Sequence, residues 1–436
     1  MSSVSNPPDV AADADPGAAT PGAPARIPHP WHFLVLVIPF GVNSGFVGLP
    51  ITYALTQRHV SSVVIAGLLA LSYVPQSWKF LWAPIVDTTF NRKGWYIVSA
   101  LTTGVGTWLM AWSTDGTVIS LSLLTFWVVA SSFASTLVGM SIESLMAGVV
   151  PDSWRGRVAG WYQAGNLGAL GLSSGLALWL MQSAHWSGTT TGLALFALCA
   201  VCCLALLGMP TPPTEEHVHE SLVAHAVDIF RDLSTVVRSR IGILAIIVCF
   251  LPIGTGAAAN LWGVVADDWH ATADTVALVN GALSGIVSAL GCFAGGWICD
   301  RIDRKLSDCL FGVAQLLIAL VMAYSARTSG QFVVWTTIYA FIQGLTYAGF
   351  TAVVLEAIGR TAAATKYSLL ASLSNMPIGY VTYIDGVANH SWGSKGMLLT
   401  EAAVGLAGVL VFLVVAILAR SRNARAAAND SQVASA

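Results

Sequence analysis

Charge is what this chain has least of. Asp, Glu, Lys and Arg together make up 10% of its 436 residues, where an ordinary soluble domain carries about 25%. With 55% of the residues hydrophobic and a mean hydropathy of +0.71, that deficit places the chain in a lipid bilayer. The net charge of −2 gives no support to a nucleic-acid partner. No Gly-x-x-x-x-Gly-Lys phosphate loop occurs, so nothing suggests ATP as an energy source, and no cofactor is expected. Apolar residues run continuously instead of alternating, which excludes a membrane β-barrel.

Other absences narrow the function further. All nine histidines (His29, His32, His59, His185, His217, His219, His225, His270 and His390) fall at the ends of apolar segments or between them. This argues against a membrane-embedded enzyme such as an acyltransferase, which needs a base at depth. The cysteines, Cys199, Cys202, Cys203, Cys249, Cys292, Cys299 and Cys309, are odd in number and mostly mid-segment, so no disulfide framework is expected. Cys199, Cys202 and Cys203 have no histidine or carboxylate nearby, and helix packing is expected there rather than a metal. Residues 1–30 hold almost no large apolar side chain and read as a disordered tail. With no basic start and no apolar h-region, they are not a signal peptide.

A spanning helix needs about 20 mostly apolar residues. That ruler finds twelve candidates, near 31–54, 61–85, 95–113, 117–149, 156–182, 190–209, 241–266, 273–299, 307–326, 331–358, 366–388 and 396–419. The fold class is an all-α polytopic membrane protein. Its parts are a tail (1–30), a six-helix bundle (31–209), a linker (210–240), a second six-helix bundle (241–419) and a polar tail (420–436). With the N-terminus in the cytoplasm, sixteen cations lie inside: Arg26, Arg92, Lys93, Arg155, Arg157, Arg231, Arg238, Arg240, Arg301, Arg304, Lys305, Arg360, Lys366, Arg420, Arg422 and Arg425. Three lie outside, Arg58, Arg327 and Lys395. This bias sets both termini inside, in a bacterial-type inner membrane. In the linker, Leu222, Ala226, Ile229, Leu233 and Val236 share one face, as in an amphipathic helix lying on the membrane. His217, His219 and His225 are read as solvated linker residues rather than metal ligands.

The chain repeats itself at an offset of 213 residues. Pro39 and Gly41 correspond to Pro252 and Gly254, Asp87 to Asp300, and Glu143 to Glu356. Two pseudo-symmetric six-span halves joined by a linker resemble the major facilitator superfamily. The loop "GGWICDRIDRK" resembles its Gly-x-x-x-Asp-Arg-x-x-Arg-Lys signature through Gly296, Asp300, Arg301, Arg304 and Lys305. An acid at a helix end beside a basic turn can lock two bundles on one side, which makes Asp87, Arg92, Asp300, Arg301 and Arg304 gating candidates. In the first half only Asp87 is kept, with Arg92 and Lys93 arriving late.

A closer resemblance covers roughly residues 35–182. "GVNSGFVGLP", "KFLWAPIVD" followed by "NRKGW", "VPDSWRG" and "SSGLALWL" resemble the muropeptide permease (AmpG-type) and acetyl-CoA transporter family. That family often carries two acids at the end of span four; here Glu143 stands at the first position and Gly148 at the second. The resemblance implies alternating access, with uptake of a bulky polar small molecule such as a muropeptide by a monomer. Some relatives are thought to carry iron-siderophore complexes, and a non-transporting sensor is a further alternative.

A charge at mid-bilayer costs on the order of 2.5–3.5 kcal/mol, and such groups usually face water or a partner. Lys79 lies about 12 Å along its helix from Asp87. It is expected to pair with Glu143 when the cavity is closed to the cytoplasm, or to meet an anionic cargo group; snorkelling to the headgroups is the alternative. With no ATP site, a proton gradient is the expected drive and Glu143 the first candidate carrier. Glu356 pairs with nearby Arg360 or Lys366, or carries a proton. Asp385 is an outer gate or an interfacial residue. Amides and other polar groups inside spans (Asn43, Ser44, Gln163, Asn166, Asn260, Gln343, Tyr347 and Asn375) are the candidate cargo contacts. The superfamily resemblance favours Asn43, Asn260, Gln343 and Tyr347, on spans one, seven and ten.

Overall fold

The computed structural model describes residues 28–82, 86, 91–116, 119–150, 155–210, 231, 249–299, 301–358, 369 and 372–434. The proposed linker helix, most of the N-terminal tail, Asp87 and Asp300 lie outside them. The described residues are helical almost throughout. The helices are α1 (Trp31–Thr56), α2 (Ser62–Leu81), α3 (Arg92–Trp112), α4 (Leu121–Val149), α5 (Arg155–Gln182) and α6 (Gly188–Gly208). An interrupted α7 (249–269) follows, then α8 (Ala273–Cys299), α9 (Arg304–Tyr324), α10 (Ser329–Ile358), α11 (375–392) and α12 (394–434). Eight described stretches are long and apolar enough to cross a membrane, the last of them α11 and α12 run together. Splitting that stretch at Gly393, whose φ is +69°, and adding α3, α7 and α10 agrees with twelve crossings.

Local sequence explains where the helices start and stop. Asn91, Ser120, Ser187, Thr272 and Asp303 cap α3, α4, α6, α8 and α9, each accepting from a backbone N–H three residues on, which satisfies a donor the helix leaves orphaned. At one end of the bundle, α1, α5 and α7 finish on His59, His185 and His270, all left-handed (φ 58°, 55° and 55°). Each following N–H reaches back five residues or more, as in Val60 to Leu55 O at 3.1 Å, the usual way to close a helix C-terminus. "Near end" below means the end where Trp31 starts, and "far end" the end holding these three histidines.

Exposed tryptophans form two girdles: Trp31, Trp78, Trp161 and Trp297 near one end, and Trp112, Trp179, Trp186 and Trp392 near the other. Trp161 and Trp179 on α5 are about 27 Å apart by helical rise, close to the hydrocarbon thickness of about 30 Å. Leucines, valines and phenylalanines lie exposed between the girdles, as lipid contact requires. Within the N-terminal bundle α1 packs on α5, and α3 on α4 and α6; within the second bundle α10 packs on α8 and α9, and α9 on α12. Cys199 of α6 is buried against Gly104 of α3, in the packing role expected of it.

Two features depart from the sequence reading. The repeat-matched Pro-Gly pairs do different things: Pro39 sits in the first turn of a helical segment, whereas the chain around Pro252 is unwound and Gly254 and Gly256 take φ of +57° and +64°. The segment after Leu418, read as a polar tail, continues α12 to Ala434; "ARAAAN" is rich in alanine, the best helix former.

Candidate functional site

The path between the bundles is built on α2, α4, α7, α10 and α11. Pro75 removes a backbone donor from α2, and the helix gives way to a 3-10 turn at Lys79–Leu81. From that turn Lys79 Nζ donates to Glu143 Oε1 of α4 at 2.9 Å, with the side chains 15% and 33% exposed. Lys79 is thus partnered within its own bundle. Sheltered from water, each charge needs the other, since removing one leaves an uncompensated ion. The pair forms while the inter-bundle contacts among the described residues lie from mid-membrane to the far end, so it does not need described contacts at the near end.

Those contacts run along two seams and, beside them, where Gly263 of α7 meets Thr52 and Leu49 of α1. On one, Gly171 and Gly175 of α5 press against Gly281, Ala277 and Gly285 of α8 with no room for a side chain. On the other, α2 meets α11: Ser62 Oγ donates to Gly386 O at 2.9 Å, and Gly386 also abuts Ala66. Between the seams a polar relay crosses from one bundle to the other. Tyr73 OH donates to Asn260 Oδ1 at 3.2 Å, and Asn260 Nδ2 donates to Thr382 Oγ1 at 2.9 Å. At the far end Ser183 also donates to Asp274. Arg327, beside that surface, lies 3.7 Å over the Trp269 ring; burial pushes its guanidinium down and Asp268 partly offsets that.

The expected cargo contacts divide. Asn43 is buried and its amide is used within the N-terminal bundle, accepting from Ser131 at 2.5 Å and donating to Ser135 at 3.4 Å. It holds α1 to α4 in this state. Asn260 bridges the bundles as described. Gln343 presses on the left-handed Gly256 of the α7 break. Tyr347 is 40% exposed and lines a pocket of about 60 Å³ at the α7 break, with Thr255, Asp308, Thr346 and Ser374. That volume holds a few waters, not a bulky solute. Ser44 and Gln163 are half-buried, Asn166 Nδ2 donates to Gln163 Oε1 at 3.2 Å, and Asn375 Nδ2 donates to Ser372 O at 3.4 Å.

Among the gating candidates, Arg92 and Arg304 are half-buried. Arg301 is exposed, donates to Trp297 O at 3.0 Å and stacks 3.8 Å over the Trp297 ring. Asp87, Asp300 and the side chain of Glu356 lie outside the described residues, so the expected pairs at those positions do too.

Sequence reasoning missed Asp308 and the partner of Asp385. Asp308, one turn after Arg304, is 5% exposed in the α7 pocket; its place at the start of a span made it look like a helix-end residue. Asp385, expected as an outer gate or an interfacial residue, is 0% exposed, so it is not interfacial in this state. It faces Glu401 of α12, itself 5% exposed, and Glu401 Oε1 accepts from Tyr339 OH at 2.8 Å. The signal was available: Gly393, at the corner between α11 and α12, is midway between positions 385 and 401, so a helical hairpin puts both acids at one depth.

A helical bundle with two seams, a bridging relay and ionisable groups at membrane depth defines a polytopic carrier. The sequence profile of the Major Facilitator Superfamily matches residues 31–382, and the chain belongs to that family. No curated protein matches it by sequence. Its fold is similar to a D-xylose-proton symporter (TM-score 0.67, 14% identity, covering 88% of this chain and 95% of that one). It is also similar to a mutant of the nucleoside transporter NupG (0.63, 14%, 88% and 98%) and to the inward-open xylose transporter XylE from E. coli (0.65, 12%, 88% and 95%).

Proposed function

We propose that this protein is a secondary active transporter of a bacterial-type inner membrane, taking up a bulky polar solute by proton-coupled alternating access. A muropeptide is the cargo that the first-half resemblance to the AmpG-type permeases favours. The observation that carries the reading is the Lys79–Glu143 pair: two opposite charges held against each other on two helices of one bundle, partly open to water. Such a pair can exchange its internal partner for an anionic cargo group or a proton as the bundles rock. The excess of Lys and Arg in the loops favours a cytoplasmic near end with both termini; in that orientation the far-end seams face outward and the protein is closed on that side.

The test is a pH-jump flux assay in proteoliposomes with labelled muropeptide. Wild-type protein accumulates label under an inward proton gradient, and Glu143→Gln loses gradient-driven accumulation. Uptake by the variant at the wild-type rate removes Glu143 from coupling. Accumulation of a labelled iron-siderophore complex in place of muropeptide reassigns the cargo, and no flux of either favours a sensor.

A further inference from the structure

The second bundle contains a group of ionisable side chains that the Lys79–Glu143 reading does not use. Asp385 and Glu401 meet inside it, near enough for their carboxyls to hydrogen-bond when one carries a proton. Tyr339 of α10 donates to Glu401 Oε1 at 2.8 Å and stacks edge-on against Trp262 of α7 at 5.1 Å. Gln315 of α9, 2% exposed, points at the Tyr339 hydroxyl. Among the described residues, both oxygens of Asp385, Oε2 of Glu401 and both amide atoms of Gln315 lack a hydrogen-bond partner. No lysine or arginine among the described residues pairs with either acid.

Two carboxylates buried against each other with no cation cannot both be charged, because the repulsion in a low-dielectric interior adds to two desolvation penalties. The unsatisfied oxygens find their donor most simply in a proton held between them. Position gives that proton a consequence. Asp385 lies one helical turn past Thr382, which accepts from Asn260, and next to Gly386, whose carbonyl accepts from Ser62. The acid pair thus sits directly behind the α2–α11 seam. The groups facing it are Tyr339 from α10, Gln315 from α9, Glu401 from α12 and Trp262 from α7; α2 presents only Ser62 and Ala66 at the adjoining contact.

We infer that Asp385 and Glu401 form a proton-binding site whose occupancy holds the far-end seam closed. With the proton in place the pair is a single buried charge, hydrogen-bonded to Tyr339. When the proton leaves to water, two like charges remain in an apolar shell, and parting α2 from α11 hydrates them. Proton uptake from the far side then recloses that side. The inference rests on the transport reading for its purpose but not for its test.

Two measurements on the full chain in lipid nanodiscs test it without any transported solute. The first is an infrared difference spectrum between wild type and Asp385→Asn/Glu401→Gln. A protonated-carboxyl band present in wild type at neutral pH and lost in the double variant is expected; identical spectra overturn the proposal. The second measures the distance between spin labels at Gln57→Cys and His390→Cys, on opposite sides of the seam, in a background without the native cysteines. The wild-type distance lengthens as pH rises, and the double variant stays short throughout. A variant that opens along the wild-type pH curve overturns the proposal, as does closure at fixed pH on adding sodium chloride but not potassium chloride. Should the double variant not fold, each single variant displaces the midpoint of opening; an unmoved midpoint in both overturns the proposal. A lost band and a flattened pH response with no solute flux would leave the site standing and sink only the transport reading.

Discussion

At the scale of single residues, the informative side chains are those whose polar atoms are committed. Asn43 has its amide engaged by serines of α4, so Asn43→Ala should remove about 1–3 kcal/mol of stability and lower the melting temperature in detergent while leaving solute affinity unchanged; a loss of affinity at unchanged stability would mark it as a cargo contact instead. Lys79 and Glu143 are committed to each other. Lys79→Glu and Glu143→Lys should each abolish gradient-driven uptake by placing two like charges 2.9 Å apart where the pair now sits. Combining them should recover part of it, and a double swap no better than the singles would end the pairing idea. The sequence made Lys79 conspicuous because a cation inside an apolar run has no local explanation. Glu401 was not conspicuous, since a single carboxyl eight positions into an apolar helix shows its partner only when the corner at Gly393 is known.

At the scale of elements, the crossings were legible because length and apolar content decide them, and lipid leaves the backbone no alternative to a helix. The seventh was the exception. Its composition reads as one helix from 241 to 266, but Pro252 lacks a donor and Gly254 and Gly256 take left-handed dihedrals that only glycine adopts without strain. Periodicity does not report such a break, because the glycines are equally compatible with a helix. The unwound stretch is where Gln343, Thr346 and Tyr347 of α10 gather, so the break shapes the pocket. Gly256→Ala meets both a left-handed backbone, costing about 1–2 kcal/mol for an L side chain, and the Gln343 amide. Reduced thermal stability is expected, and Gly256→Ala/Gln343→Ala should recover the steric part but not the backbone part. Full recovery would mean that the α7 conformation is not fixed by Gly256.

At the scale of the whole molecule, two bundles that rock need contacts tight enough to seal one end and weak enough to part. The seams meet this with small residues and a few neutral hydrogen bonds, with no described ion pair between the bundles. The α5–α8 seam is the tighter: Gly281 lies against the backbone of Gly175 and Gly171, so any side chain there must push the bundles apart. Gly281→Leu should therefore act on the conformational equilibrium more than on folding. Overpacking costs about 1–3 kcal/mol, and because only the far-end-closed state carries the clash, the closed population should fall roughly 5–150-fold relative to the open one. Gly291→Leu is the control. Gly291 packs against Phe341 of α10 inside one bundle, so the same added volume should reduce stability in both states alike. Spin labels at Gln57→Cys and His390→Cys read the difference: the distance should lengthen in Gly281→Leu and stay put in Gly291→Leu. If both variants move it equally, the seam is no more special than any tight helix crossing, and what holds the far end closed must be sought in the Tyr73–Asn260–Thr382 relay instead.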